Sequence, residues 1–294
     1  MDNVNYWKIL RILTTDTCNF NCVFCHNEGQ NISRKQYLSF NNFKTILLAL
    51  ADKPIKEIQF SGGEPFLNKE TIKMIEWVND NTSYEIGCAT NLSLLKDEDI
   101  NILSNTRISL NIQFPAIKLK EYQAITNTKS GRKLHNKLLL LNSKGIEFKL
   151  NFVWLSEDIS KLEDIINYCY KYSFNLKILP YISAKTLISN LFKEKAVDYI
   201  SKRFGKELNR GDGSIVWKIK DSTSELTIKY VDSPCFKKDH AICKNYAELR
   251  VLPNLYLQNC LLKNSTIFLT NEDLKISKNI IDKIDLTWET FTSC

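Results

Sequence analysis

The amino-acid sequence predicts an α/β fold: a partial, open (β/α)6 TIM-like barrel over residues 1–182, then an α+β extension over residues 183–294. Two observations carry this. Between Lys8 and Leu179, strand-like apolar runs alternate six times with helix-period segments, and such alternation implies parallel strands joined by right-handed crossovers. After Pro180 the alternation stops and short strand pairs take over. Six units fall short of a closed eight-fold barrel, so an open one is expected, with its chemistry at the carboxyl ends of the strands.

The elements follow in order. Residues 8–14 (KILRILT) read as a buried strand, and a polar loop with the first cysteines comes next. Ser39 is placed to cap a helix over 40–52, whose apolar positions include Phe43, Ile46, Leu47 and Leu50, and Pro54 stops it. Residues 57–60 form a short strand running into Ser61-Gly62-Gly63, followed by a helix over 68–81 and a strand over 84–90. A short helix over 97–104, a strand over 107–113 and helices over 119–125 and 130–143 come next, with Gly145 as a stop signal. A strand over 148–154, a helix over 160–172 and a strand over 175–179 complete the six units. In the extension, 188–204 reads as helix, 215–220 and 225–230 as a hairpin, and 248–252 and 255–258 as strands around Pro253-Asn254. Residues 275–284 read as a last helix.

Composition narrows the function classes. An apolar fraction of 44% and a charged fraction of 25% are globular values and exclude a disordered chain. The longest apolar runs, 46–51 and 138–141, are too short to span a bilayer, so no membrane partner is expected. The amino-terminal stretch lacks an apolar segment with a small-residue cleavage site, and a cytoplasmic protein is expected. A net charge of +7 comes from lysines scattered along the chain, not from a basic tract, so a nucleic-acid partner is not expected. Nine cysteines, an odd count, argue against a disulfide framework in a reducing compartment and point to metal or redox chemistry.

Cys18, Cys22 and Cys25 stand in the spacing C-x3-C-x2-C directly after the first strand. A loop this short can wrap a small cubane and give three thiolates to three irons, leaving the fourth iron open for another ligand. Zinc wants four protein ligands, and His26 can supply a fourth, so both metals stay open on these residues alone, with the cluster favoured. Cys88 and Cys169 fall in strand and helix patterns and read as core; His135 reads as surface, and Trp154 and Trp217 as packing.

The segment LRILTTDTCNFNCVFCHNEG resembles the radical S-adenosylmethionine (SAM) superfamily, and within it the GTP 3′,8-cyclase subfamily of molybdenum cofactor biosynthesis. Later stretches agree in order: Phe60-Ser61-Gly62-Gly63-Glu64-Pro65, Ala89-Thr90-Asn91-Leu92, Ser109-Leu110-Asn111, Glu121 to Thr126, and Lys149-Leu150-Asn151. The resemblance implies a [4Fe–4S] cluster on Cys18, Cys22 and Cys25 whose open iron takes SAM. It also implies SAM contacts at Phe24, Gly62, Gly63, Glu64, Ser109 and Ile182. A carboxylate fixed at a strand end, as Glu64 would be, can accept hydrogen bonds from an ammonium group. The implied activity is reductive cleavage of SAM to a 5′-deoxyadenosyl radical that takes a hydrogen atom from a substrate, as in an oxidoreductase or lyase, with a reductant such as flavodoxin or ferredoxin as partner.

The carboxyl-terminal region (CKNYAELRVLPNLYLQNC) resembles the part of the cyclase that holds a second, auxiliary [4Fe–4S] cluster. Cys243 and Cys260 match its outer cysteines, and Tyr246 stands in the middle place, with Cys235 as the replacement thiolate. Cys294 or His240 is a candidate further ligand; buried small hydrophobes or zinc are the alternative readings of these cysteines. Arg11, Lys149 and Arg250 match substrate-binding cations of the cyclase. Gln59 stands where it has Arg, Ala89 where it has Thr, Glu248 where it has Arg, and the last residues are Phe-Thr-Ser-Cys in place of Gly-Gly. The expected substrate is therefore a peptide or small metabolite other than GTP, in natural-product biosynthesis. A diverged GTP cyclase and a non-enzymatic iron–sulfur or zinc protein are the alternatives.

Overall fold

The computed structural model describes residues 6–25, 35–156, 158–181, 189–209, 214–222, 225–232, 240–261 and 266–291. His26, Ile182, Cys235 and Cys294 lie outside the described residues.

Six parallel strands pair in sequence order: β1 (Ile9–Leu13), β2 (Glu57–Ser61), β3 (Glu85–Thr90), β4 (Ile108–Gln113), β5 (Glu147–Trp154) and β6 (Asn175–Pro180). Between them run α1 (Phe40–Ala49), α2 (Thr71–Asn81), α3 (Asp97–Leu103), α4 (Leu119–Thr126), α5 (Leu134–Ser143) and α6 (Ile159–Tyr172). This is the predicted open barrel of six βα units. Alternation along each strand sets its two faces. On β5, Phe148, Leu150, Phe152 and Trp154 are buried in the core, while Glu147, Lys149, Asn151 and Val153 line the lumen. On β2, Ile58 and Phe60 are buried, and Glu57, Gln59 and Ser61 face inward.

Two helix boundaries differ from the sequence reading for local reasons. The first helix is capped by Ser39, whose side chain accepts from the Asn42 amide at 3.2 Å, but it ends at Ala49. Leu50 leaves helical geometry and a turn closes through Lys53 N–H to the Leu50 carbonyl (3.0 Å) before Pro54. The second starts at Thr71 and not at Asn68, because Asn68 is committed elsewhere. Its amide donates to the Thr14 and Leu38 carbonyls (3.0 and 2.8 Å), and its oxygen takes the Glu70 amide (3.0 Å). Residues Pro65–Leu67 form a single 3-10 turn ahead of it.

The remaining chain adds to both edges of the sheet. After α7 (Ser189–Phe204), β7 (Leu208–Asn209), β8 (Ser214–Lys220) and β9 (Glu225–Val231) extend the β6 edge; β9 lies parallel to β6 with Lys177 opposite Lys229, and β8–β9 is the expected hairpin. After α8 (His240–Tyr246), β10 (Glu248–Val251), β11 (Tyr256–Gln258) and β12 (Thr266–Phe268) extend the other edge; β10 lies parallel to β1 with Arg11 opposite Arg250. The last helix, α9 (Ser277–Glu289), closes this end. Trp7 stacks on Phe291 at 5.4 Å and meets Trp288 edge-on at 4.8 Å. No helix among the described residues is long and apolar enough to cross a membrane.

Candidate active site

The inward faces of the strands enclose an open cavity of about 1550 Å³. The cysteine loop leaves β1 directly onto it and is fastened to the turn after β2. The Gly63 amide donates to the Thr15 carbonyl and the Glu64 amide to the Thr17 carbonyl, both at 2.9 Å. Both glycines are required by this approach. Gly62 has φ +142°, and a Cβ there would strike the Thr15 carbonyl. A Cβ on Gly63 would run into the Thr17 carbonyl and stand 2.7 Å from the Cys18 amide nitrogen.

Cys18 and Cys25 are exposed, Cys22 is half-buried, and the described cysteines form no disulfide. Cys18, Cys25 and half-buried Phe24 line the cavity. The Phe20 amide donates to Cys18 Sγ at 3.4 Å and Gln113 Nε2 to Cys22 Sγ at 3.1 Å, contacts that favour thiolates. Burial pushes the Cys18 thiol up to about 11 against the Phe20 amide, and Glu64, Cys22 and Cys25 push the same way. Three thiols this close repel one another once ionised, and a multiply charged iron cluster relieves that repulsion, so the donor set fits the group. Among the described residues no three His, Cys, Asp or Glu side chains close on a point the size of one ion. Ligands to separate irons of a cluster need not converge in that way.

Glu64 is fully buried, and its carboxylate is engaged by the protein itself. The Thr90 hydroxyl (2.7 Å) and Phe66 amide (3.4 Å) donate to Oε1, and the Asn91 amide to Oε2 (2.8 Å). Burial raises this carboxyl to about 7, against those hydrogen bonds and the Lys137 cation. Asn91 also donates to Asn19 Oδ1 and Asn19 to Ser93 Oγ, both at 2.9 Å, so one network joins the cysteine loop to the β3 exit. Lys137 Nζ clamps that exit through the carbonyls of Leu92, Ser93 and Leu95 at 3.0, 2.9 and 2.6 Å. The sequence reading aims Glu64 at an ammonium group; in the structure its side chain braces the β2 and β3 exits. Ser109 Oγ and Asn151 Oδ1, on residues that line the cavity, are buried without a partner and suit a polar ligand.

Deeper in the lumen the charges sort themselves. Glu248 is gripped by Arg11 through Nε (2.8 Å) and Nη2 (2.7 Å), and Arg250 Nη1 adds a third contact at 3.1 Å. Burial works to raise the Glu248 carboxyl, but Arg11 and then Arg250 and Lys177 hold it down at about 2. Lys149 pairs with Glu147 at 3.1 Å. The three expected substrate cations therefore each have an internal carboxylate partner. Gln59 donates to Glu57, and its side chain lies over Gly87, where a Cβ would overlap it.

Cys243 on α8 and Cys260 after β11 line the same cavity as Cys18 and Cys25, and both are half-buried. His240, one turn before Cys243, has its Nε2 buried without a partner and its ring edge-on to Phe291 at 4.9 Å. Cys88 and Cys169 are in the core with no exposure. His135 is half-buried, unlike the sequence reading, because its Nδ1 meets the Tyr168 hydroxyl at 2.6 Å and its ring packs on Tyr172.

A barrel open on one side, with a three-cysteine loop at its first strand exit, defines a class that a family model confirms. The radical SAM superfamily model matches residues 12–169, more than half of the chain, and the chain belongs to that superfamily. It is thus an enzyme family member whose cofactors are a [4Fe–4S] cluster and SAM. Among relatives, it is 25% identical over 93% of its length to the probable GTP 3′,8-cyclase of Methanocaldococcus jannaschii, covering 91% of that protein. The fold matches Streptococcus suis SuiB bound to S-adenosylmethionine (TM-score 0.72, 14% identity, 97% of this chain and 68% of that one). It also matches anSMEcpe with bound AdoMet and Kp18Cys peptide (TM-score 0.61, 14% identity, 95% and 83%).

Sequence reasoning missed Glu248 as the partner of two arginines, the Lys137 clamp, and Gln113 as a donor to Cys22. Register supplies the first: Arg11 and Arg250 become neighbours only once β10 pairs with β1. Lys177 and Lys229 become neighbours only through the parallel β6–β9 pairing.

Proposed function

We propose that this chain cleaves SAM reductively and takes a hydrogen atom from a substrate other than GTP, a peptide or a small metabolite. A cluster on Cys18, Cys22 and Cys25 supplies, when bound, the electron that splits SAM. The chain's own residues do the rest. The Gly62-Gly63 turn brings backbone against the cysteine loop, Glu64 and Asn91 fix the register of the two exits, and Ser109 offers a hydroxyl to the ligand.

The observation that carries the non-GTP reading is Glu248. A triphosphate needs uncommitted cations, and here a carboxylate already occupies Arg11 and Arg250. Peptide-bound neighbours of the same fold support a peptide substrate. Cys243 and Cys260 on the same cavity, with Cys235 as third thiolate and His240 as a further candidate, support an auxiliary cluster facing the substrate. Replacing Cys235 and Cys260 together should then halve the iron per chain, and unchanged iron ends that part of the reading. One observation favours a diverged GTP cyclase, namely the relatives of that name along nearly the whole chain. Anaerobic protein given SAM, a strong reductant and GTP decides between the two. Formation of 5′-deoxyadenosine with GTP left intact supports the proposal; a 3′,8-cyclised nucleotide overturns it.

A further inference from the structure

Lysines are spread along the sequence, and the fold gathers several unpaired cations beside the cysteine loop. That loop is fastened to the end of α4. The Asn21 amide donates to the Thr126 carbonyl at 3.2 Å and the Val23 amide to the Ile125 carbonyl at 3.0 Å, so Cys22 stands between two bonds to this helix. The connection from α4 to α5 then folds back over the same place. Gln123 Nε2 donates to the Lys129 and Ser130 carbonyls at 2.8 and 3.2 Å, and Gly131 packs so closely on Tyr122 that a Cβ would stand 2.7 Å from its ring. Tyr122 in turn meets Phe20 edge-on at 6.4 Å. From the cysteines outward, the layers are Phe20, Tyr122 and this connection.

Lys129, Arg132 and Lys133 on the connection are exposed, as are Lys118 and Lys120 at the start of α4. No carboxylate of the described residues forms an ion pair with any of these five. Glu121, the acid of α4, pairs with Lys161 at 2.8 Å, and Asp97 and Asp99 of α3 stand toward Lys137. None of the five cations lines the cavity, so they are not placed to hold the substrate. Lys129 follows Thr126 by three residues, which keeps their Cα atoms within about 11 Å, so the cations begin at the loop itself. Val23 in that loop is 60% exposed, the highest value among the large apolar side chains of the described residues. An apolar point beside a rim of one sign of charge has the make-up of a protein interface, and unpaired rim charges steer an oppositely charged partner.

We propose that the cysteine loop around Val23, together with Lys129, Arg132 and Lys133, is the docking surface for a small acidic one-electron carrier protein. Electron transfer between proteins falls steeply with distance, and Cys22 lies between the two hydrogen bonds that join its loop to this surface. One electron leaves the carrier's reduced centre and enters a cluster on Cys18, Cys22 and Cys25 when one is bound. The carrier is oxidised by one electron, the cluster is reduced by one, and no atom is transferred. Redox encounters use small interfaces, which a patch of this extent can supply. This rests on the reading that those cysteines hold a cluster that splits SAM.

The test uses anaerobic, cluster-loaded protein, with flavodoxin, an acidic flavoprotein, as the probe. Affinity for oxidised flavodoxin is read by calorimetry, and electron transfer by stopped-flow oxidation of the reduced flavin. The parent's affinity should fall as salt is raised, and Lys129→Glu, Arg132→Glu and Lys133→Glu together should weaken it at least tenfold. Lys56→Glu, Lys144→Glu and Lys278→Glu together change the net charge equally at exposed lysines elsewhere and should weaken it less than threefold. Iron per chain, and release of 5′-deoxyadenosine driven by dithionite, which needs no docking, should be the same in all three proteins. Release driven by reduced flavodoxin should fall only in the first variant. Equal loss of affinity in both variants, no salt dependence, or unchanged transfer from flavodoxin in the first variant overturns the docking surface. A ribo-oligonucleotide bound more tightly than flavodoxin by the parent and released by the first variant assigns the face to nucleic acid and also overturns it. A parent that oxidises flavodoxin but releases no 5′-deoxyadenosine with either reductant overturns the SAM-cleaving reading alone.

Discussion

Glu248→Gln removes the one negative charge that two arginines share. The structure sets the size of the effect. The native carboxyl lies at about 2 against an ordinary 4.5, which corresponds to about 3 kcal/mol of stabilisation at neutral pH. Removing one partner of a buried ion pair costs a similar amount, about 3–5 kcal/mol, because Arg11 and Arg250 are left facing each other. The sign follows from linkage. A depressed native carboxyl stabilises above the unfolded value and loses that contribution as pH falls through the native one, so the term is full at pH 7 and roughly halved at pH 3. The assay is guanidinium unfolding of cluster-free chain with reduced thiols, comparing parent and variant at pH 7, 4 and 3. Taking the difference between the two proteins cancels the other carboxylates. The gap should be about 3 kcal/mol at pH 7 and should shrink by at least half at pH 3. A gap that is small at pH 7, or independent of pH, refutes the reasoning.

Three further outcomes are expected. Lys177→Gln should stabilise the fold by about 2 kcal/mol at pH 7, since it removes an ammonium disfavoured by burial and then by Arg11, Lys229 and Lys149; the gain should fade as pH rises from 8 to 10.5, where the parent lysine loses its charge, as unfolding curves will show. Gly63→Ala should drive a methyl group into the Thr17 carbonyl, cost about 2–4 kcal/mol by the same unfolding assay, and lower bound iron after reconstitution. Lys137→Met should release three carbonyls at the β3 exit and raise amide hydrogen exchange over residues 91–95 at least tenfold, with α5 itself little changed.

Much of this architecture was legible in the chain. The six βα units announced themselves because each strand is a short apolar run and each helix carries a 3.6-residue stripe, signals that need no tertiary knowledge. The cysteine loop was legible for the same reason: its spacing is local. What escaped was set by pairing between distant segments. Asn68 reads as helix, yet two carbonyls from β1 and the α1 approach claim its side chain. Glu64 reads as a ligand carboxylate, but that β3 also delivers Thr90 and Asn91 to it follows only from strand pairing. Arg11 and Arg250 read as substrate cations, but the Glu248 carboxylate they share is set by β10 lying beside β1. Lumen chemistry in a barrel is a property of rows across strands, and a row cannot be read along the chain.

The account stands on the three cysteines after β1 being the place where SAM is bound and split. Its most direct test is 5′-deoxyadenosine release by protein purified and reconstituted without oxygen, compared with a variant in which Cys18, Cys22 and Cys25 are all alanine. The parent should carry about eight irons and release 5′-deoxyadenosine on addition of SAM and reductant, and the variant should keep about four and release none. Zinc in place of iron in the parent, or equal release by the variant, would contradict it.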